Sequence, residues 1–209
     1  MVKINLMTIP FMLLGYLIGS ISFAYLFTYF LTGKDIRKIG TGNPGAANVA
    51  RSIGKKWGVI VWLSDTIKGI LPMIIAKNYG ITNFLFLTLI GSSAVIGHCY
   101  SIFLKFKGGK GAATSGGVVL YLMPKLFILV IILWFVVQNI NPRSSKLIIS
   151  SIVIFFIFLK ITYPEHFIKL FFSTLILIII GAIINRDVIE EIKKQKSRVK
   201  NGDMEKKII

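Results

Sequence analysis

Four stretches of about twenty residues run through this chain with almost no charge, and they limit the fold more than any other feature. A helix rises 1.5 Å per residue, so crossing a hydrocarbon layer of about 30 Å takes roughly 20 apolar residues. Residues 6–31, 57–76, 84–104 and 118–137 meet that length. The second contains Asp65 and Lys68, three residues apart and so on one helical face. The fourth contains only Lys125. Two further apolar runs, 147–159 and 170–184, are short for independent spans and are separated by Tyr163-Pro164-Glu165-His166. Of the 209 residues 55% are hydrophobic and 16% charged, where a soluble domain carries about 25% charged residues. A soluble fold is excluded. The expectation is an all-α, polytopic transmembrane helical bundle with five to seven membrane segments. Residues 1–30 form too long an apolar run for a cleavable leader, and read as the first span.

The 25 Lys+Arg against 8 Asp+Glu, a net charge of +17, would suit a nucleic-acid binder in a soluble chain. In a membrane chain the cytoplasmic bias of Lys and Arg, with attraction to anionic lipid, explains it, and no nucleic acid is expected. Loop 32–56 carries Lys34, Arg37, Lys38, Arg51, Lys55 and Lys56 against Asp35 alone. Loop 104–117 carries Lys105, Lys107 and Lys110. Residues 185–209 are again net basic. With all three segments cytoplasmic, the N-terminus lies outside and the C-terminus inside, which requires an odd number of crossings, five or seven. The domain organisation follows: a transmembrane domain over 1–184 with those two cytoplasmic loops, then a basic cytoplasmic tail, 185–209. Small residues Gly15, Gly19, Ser20 and Ser22 in the first span favour close helix packing. The single cysteine, Cys99, excludes an internal disulfide and a Cys-rich metal site, and no metal or cofactor is expected.

Chemistry concentrates in the two basic loops. The first reads DIRKIGTGNPGAANVARSIGKKWG, with Gly40, Gly42, Gly45 and Gly54 around Asn43-Pro44. Glycine is costly in a helix and Pro44 biases Asn43 away from helical backbone, so a turn is expected. Consecutive N–H groups in such a turn form an anion-binding concavity. Thr41 adds a hydroxyl, Asn43 and Asn48 add amides, and Arg37 and Arg51 add guanidinium forks suited to phosphate. The second loop, LKFKGGKGAATSGG, sets Gly108, Gly109 and Gly111 around Lys110, with Thr114 and Ser115 opening the next span. A helix N-terminus there again favours an anion. It is not a Walker A loop, because Gly111 rather than Ser or Thr follows the lysine. A basic turn that only sets topology is the alternative for each loop. Asp65 and Lys68 are either functional groups or a structural ion pair near the interface. His98, just before the second loop, could bind phosphate, polarise a carbonyl, move a proton, or simply pack.

Two blocks carry a resemblance: GSISFAYLFTYFLTGKDIRKIGTGNPGAANVARSIGKKWG from Gly19, continuing through Asp65, Lys68-Gly69 and Pro72, and GHCYSIFLKFKGGKGAATSGGVV from Gly97. The chain resembles the bacterial integral-membrane glycerol-3-phosphate acyltransferases that use acyl phosphate as donor. The resemblance implies acyl transfer from acyl phosphate to the 1-hydroxyl of glycerol 3-phosphate, giving lysophosphatidic acid and phosphate for phospholipid biosynthesis. It implies a bacterial cell-membrane location and a cytoplasm-facing site. Thr41 stands where the family has a serine, while Arg51, His98 and Lys110 match its arginine, histidine and Gly-Gly-Lys-Gly lysine. These four are the candidate catalytic residues. Arg37, Gly40, Gly42, Asn43, Asn48, Asp65, Lys68, Gly108, Gly109, Gly111 and Thr114 are the candidate substrate-binding residues.

The last third departs from the family pattern. An active-site His and Asn are expected after the final span. Running ungapped from Gly181-Ala182 puts Val188 and Glu191 there, and anchoring on Gly202 puts Ile192 and Gln195 there. Three alternatives follow: an active acyltransferase, an impaired paralogue that still binds a phosphorylated or lipid ligand, or a related enzyme with a different acceptor.

Overall fold

The computed structural model describes residues 8–140, 145–184 and 186. Among them every regular element is helical: α1 Thr8–Ser20, α2 Phe23–Thr32, α3 Ala46–Ser52, α4 Lys55–Asn78, α5 Phe84–Cys99, α6 Ala112–Leu122, α7 Pro124–Ile140, α8 Ser145–Thr162 and α9 Phe167–Ile184, with three short 3-10 turns. The segments Thr8–Thr32, Lys55–Asn78, Phe84–Leu104 and Pro164–Ile184 are long and apolar enough to cross a membrane. Large apolar side chains face outward along the bundle, among them Phe30 (85% exposed), Phe135 and Ile168, as lipid-facing surfaces require. The all-α polytopic bundle is therefore as expected.

Several boundaries differ from the sequence expectation. The first span breaks at Ile21-Ser22, where Ser22 caps α2 by accepting the Tyr25 N–H at 3.3 Å. The break leaves carbonyls without helical partners, and two of them gain buried donors. The Ser101 hydroxyl donates to the Ser20 carbonyl at 2.6 Å, and the Lys68 ammonium to the Ile21 carbonyl at 2.7 Å. Irregular backbone at membrane depth is tolerated only when protein supplies such partners. The expected fourth span, 118–137, is two helices, because Pro124 has no N–H to continue α6 and its ring crowds the preceding turn. Moreover, α6 starts at Ala112, inside what the sequence suggested was loop. The last apolar run is longer than expected, because Phe167–Lys169 and the turn Pro164–His166 extend it.

Packing fixes the relative directions. Phe84 meets His166, with ring centroids 5.4 Å apart, and the Thr88 and Ser173 hydroxyls are 2.7 Å apart. Cys99 and Ile184, at the other ends of the same helices, share a cleft. Thus α5 and α9 run parallel and finish at the same end of the bundle. In α1, Gly15 lies against Ile90 and Ser93, and Tyr16 and Ser20 lie against Gly97, so α1 is parallel to α5 as well. A Cβ at Gly69 would strike the Thr114 carbonyl, and one at Gly117 the Thr66 carbonyl, so α4 and α6 touch backbone to backbone. The main apolar core, with Met73, Ile90, Met123, Leu159 and Leu170, lies among these helices. A second cluster of Ala24, Ile36, Val49 and Val61 seats the first loop on α2 and α4.

Candidate functional site

Asp35 organises the entry to the first loop. Its carboxylate accepts the Arg37 N–H at 2.9 Å and then the Arg37 guanidinium, with Nε at 3.1 and 3.0 Å from the two oxygens and Nη2 at 2.7 Å. This side-chain hydrogen bonding holds the Asp35 carboxyl below its ordinary value and the Arg37 guanidinium above its own, outweighing the opposing effect of burial. Arg37 Nη1 also donates to the Leu104 carbonyl at 3.1 Å, and the guanidinium lies over the Tyr25 ring at 5.7 Å. Arg37, expected to hold phosphate, is thus engaged in fastening the first loop to the second.

Asn48, fully buried on α3, is the pin of the glycine turn. Its Oδ1 accepts from the Thr41 N–H at 3.0 Å and the Ser52 hydroxyl at 3.3 Å, while Nδ2 donates to the carbonyls of Ile39 at 2.9 Å and Ile36 at 3.4 Å. The expected substrate amide of Asn48 is therefore turned inward. Gly42 N–H bonds the Ile39 carbonyl and Asn43 N–H the Thr41 hydroxyl oxygen. Gly40 and Gly42 occupy left-handed backbone with φ of 58° and 71°. The N–H groups of Thr41, Gly42 and Asn43, expected to form an anion concavity, are spent inside the loop. Of the loop's candidate side chains, those it presents outward are the exposed Thr41 and Arg51 and the half-buried amide of Asn43.

A buried charge cluster underlies the second loop. Lys68 Nζ is 2.9 Å from Asp65 Oδ1, and His98 Nδ1 is 3.7 Å from the same oxygen. All three residues are less than a tenth exposed. His98 then supports the glycine turn directly. Its carbonyl accepts the Gly109 N–H at 3.0 Å, the Cys99 carbonyl accepts the Gly108 N–H at 2.9 Å, and its ring lies where a Gly109 Cβ would be. Only glycine lets the chain pass this close over the imidazole. Thr114 is buried at the contact of α6 with α4, away from solvent.

Above this support lies a cleft of about 400 Å³. Asn43 enters it from the first loop, Phe106 to Lys110 from the second, Cys99 and Tyr100 from the end of α5, and Ile184 and Arg186 from the end of α9. Of the four candidate catalytic residues, Lys110 lines it, and His98 sits behind the Gly109 wall. Thr41 and Arg51 belong to the loop that contributes Asn43 but are not among its lining residues. Asp65 and Lys68, expected to bind substrate, lie in the layer below. Sequence reasoning missed Tyr100, Phe106 and Arg186. An aromatic between two lysines, and an arginine two residues past an apolar run, were the available signals. The expected His and Asn positions, Val188 and Glu191 or Ile192 and Gln195, lie outside the described residues.

The buried ions support a turn instead of lining a passage, and the cleft opens at the helix ends rather than midway along them. That combination defines the class: a polytopic helical membrane protein with a cleft at one end of its bundle, lined by Lys107, Lys110 and Arg186. Residues 9–195 match the family model described as glycerol-3-phosphate acyltransferase. The glycerol-3-phosphate acyltransferase of Aquifex aeolicus (strain VF5) is 40% identical over 172 residues, covering 81% of this chain and 85% of that protein. That of Bartonella henselae is 38% identical over 195 residues, covering 91% and 92%. Two crystal structures of PlsY (YgiH), an integral membrane glycerol 3-phosphate acyltransferase, in its glycerol 3-phosphate and lysophosphatidic acid forms, superpose with a TM-score of 0.70 at 34% identity, covering 94% of this chain and 93% of theirs. This chain belongs to the PlsY-like glycerol-3-phosphate acyltransferase family. It is a multi-pass bacterial membrane enzyme, and the match runs past α9 into the segment where the sequence departs from the family pattern.

Proposed function

We infer that the chain transfers an acyl group from acyl phosphate to the 1-hydroxyl of glycerol 3-phosphate at this cleft, releasing lysophosphatidic acid and phosphate. The observation that carries the reading is the meeting of three distant segments, at Asn43, at Lys107–Lys110 and at Ile184 with Arg186, in one cleft. One part of its wall is cationic and another apolar, which suits a phosphate joined to an alkyl chain.

The donor is already activated, since its leaving group is phosphate, so positioning and charge stabilisation do most of the catalysis. The acceptor hydroxyl adds to the acyl carbonyl, an oxyanion forms and collapses, and the C–O bond to phosphate breaks, the hydroxyl proton passing to the departing phosphate. Lys110 neutralises the phosphate and the developing negative charge. Arg51, its guanidinium exposed and without a hydrogen bond or ion pair among the described residues, reaches in as the second phosphate ligand when substrate binds. Thr41 and Asn43 orient the acceptor by hydrogen bonds, and the Thr41 hydroxyl acts as a donor instead of a covalent nucleophile. His98, with Asp65 and Lys68 beneath, holds the Gly108–Gly111 turn so that Lys110 projects into the cleft. Arg37, Asn48, Gly40, Gly42 and Thr114 keep the two loops and α6 in register.

The same reading sets the topology. One transmembrane domain spans 1–184, with both loops and the 185–209 tail on the cytoplasmic face, the N-terminus outside and an odd number of crossings, five or seven. The parallel courses of α1, α5 and α9 support it.

The test is direct: purified protein with acyl phosphate and glycerol 3-phosphate, measuring lysophosphatidic acid and phosphate, with Lys110→Ala as control. Product from the wild type and its loss in the control is the expected result. Retained glycerol 3-phosphate binding without turnover by folded wild type would establish a binding-only paralogue instead.

A further inference from the structure

Among the described residues, two that are not glycine have left-handed backbone, Lys105 (φ 54°) and Phe106 (φ 60°), and they are adjacent. A bulky side chain in this region is a strained outlier that persists only where its surroundings over-determine it. Here they do. The N–H groups of Leu104 and Phe106 both donate to the Ser101 carbonyl, at 3.1 and 2.8 Å, and that of Lys107 to the Leu104 carbonyl at 3.2 Å. Ser101 is bound through its hydroxyl to the Ser20 carbonyl, and the Leu104 carbonyl also takes Arg37 Nη1. The Tyr16 hydroxyl donates to the Tyr100 carbonyl at 2.9 Å. Bonds from α1 and the first loop thus brace a turn whose product is the Phe106 ring. Core packing does not account for it, because Phe106 is 59% exposed. What the turn achieves is to bring that ring, with Tyr100, to the wall of the cleft that holds Lys110.

We propose that Phe106 is the acyl-side wall of the site, in the cleft that Tyr100 also lines, and that its ring selects donors by contacting the chain at the carbons next to the carbonyl. The proposal rests on the acyltransferase reading above. With the donor phosphate against Lys110, its carbonyl lies at the boundary between the cationic and apolar walls. The first methylenes then fall against Phe106, four residues from Lys110 across the glycine turn. A substituent on the carbon next to the carbonyl meets the ring, whereas changes far down the chain do not.

The experiment uses the full chain in lipid nanodiscs with glycerol 3-phosphate and two donors, hexadecanoyl phosphate and its 2-methyl analogue. The readout is the branched-to-straight ratio of kcat/KM. Phe106→Gly removes the ring and relieves the backbone, and should raise the ratio about tenfold, the scale of one methyl group in an apolar pocket, with the KM for glycerol 3-phosphate unchanged. Phe106→Trp keeps the backbone conflict, enlarges the ring and should lower the ratio, which decides the matter even if the glycine variant does not fold. An unchanged ratio in either folded variant overturns the proposal, as does equal loss with both donors accompanied by a raised glycerol 3-phosphate KM. Wild type that makes product from neither donor refutes the acyltransferase reading itself, and this proposal with it.

Discussion

Lys110 and Arg37 are both cations of the glycine-rich loops, yet their surroundings give them opposite tasks. Lys110 has no hydrogen bond or ion pair among the described residues and lines the cleft, so Lys110→Ala should cost on the order of 10²–10³ in kcat while leaving the thermal midpoint in detergent unchanged. Arg37 is tied to the Asp35 carboxylate and the Leu104 carbonyl, and Arg37→Lys loses a planar fork that an ammonium cannot replace. That variant should lower the midpoint and reduce turnover only through the displaced loop. The pair also has a pH signature. Because Asp35 is depressed below 3.8 in the folded protein, its contribution to stability is complete above that value and disappears as pH falls through the lower folded value. Thermal midpoints of wild type and Asp35→Asn should therefore differ at neutral pH and converge in acid. Residue identities in the loops were legible because Gly, Asn and Arg clusters mark a turn and an anion. Which of them face inward was not, since only the fold decides that the Asn48 amide meets the Ile39 carbonyl.

At the scale of elements, hydrophobic length located the spans but not their interruptions. Pro124 signalled the α6–α7 break, and its effect was masked by apolar residues on both sides that keep a hydropathy window high. The α1–α2 break had no comparable signal, because its stability comes from Lys68 and Ser101, 47 and 81 residues away. Burial of the Asp65–Lys68 pair follows from that break: the lysine satisfies an orphaned carbonyl and the aspartate balances the lysine. Removing one partner of a buried pair costs about 3–5 kcal/mol, so Asp65→Asn should destabilise strongly, measurable as a lowered unfolding midpoint in nanodiscs. The α4–α6 contact makes an independent prediction. Gly117→Leu places a side chain against the Thr66 carbonyl and should cost at least the roughly 1–3 kcal/mol typical of overpacking, read as a lowered unfolding midpoint.

For the whole molecule, parallel α1, α5 and α9 place the ends of α5 and α9 on the face that bears both basic loops. In a Cys99→Ser background, Lys38→Cys and Arg186→Cys should resist a membrane-impermeant thiol reagent in intact cells, while Tyr79→Cys in the opposite turn should be labelled. The reverse pattern would invert the orientation. The break within the first span also bears on assembly order. The carbonyls of Ser20 and Ile21 find their donors on segments the ribosome makes later, so the first hydrophobic segment enters the bilayer before the residues that complete it exist. Until Ser101 arrives, an uninterrupted helix is the state that leaves no carbonyl bare in lipid. The break is then something the nascent chain acquires on biosynthesis of its third long segment, and a ribosome-bound chain ending before that residue should hold its first span straight.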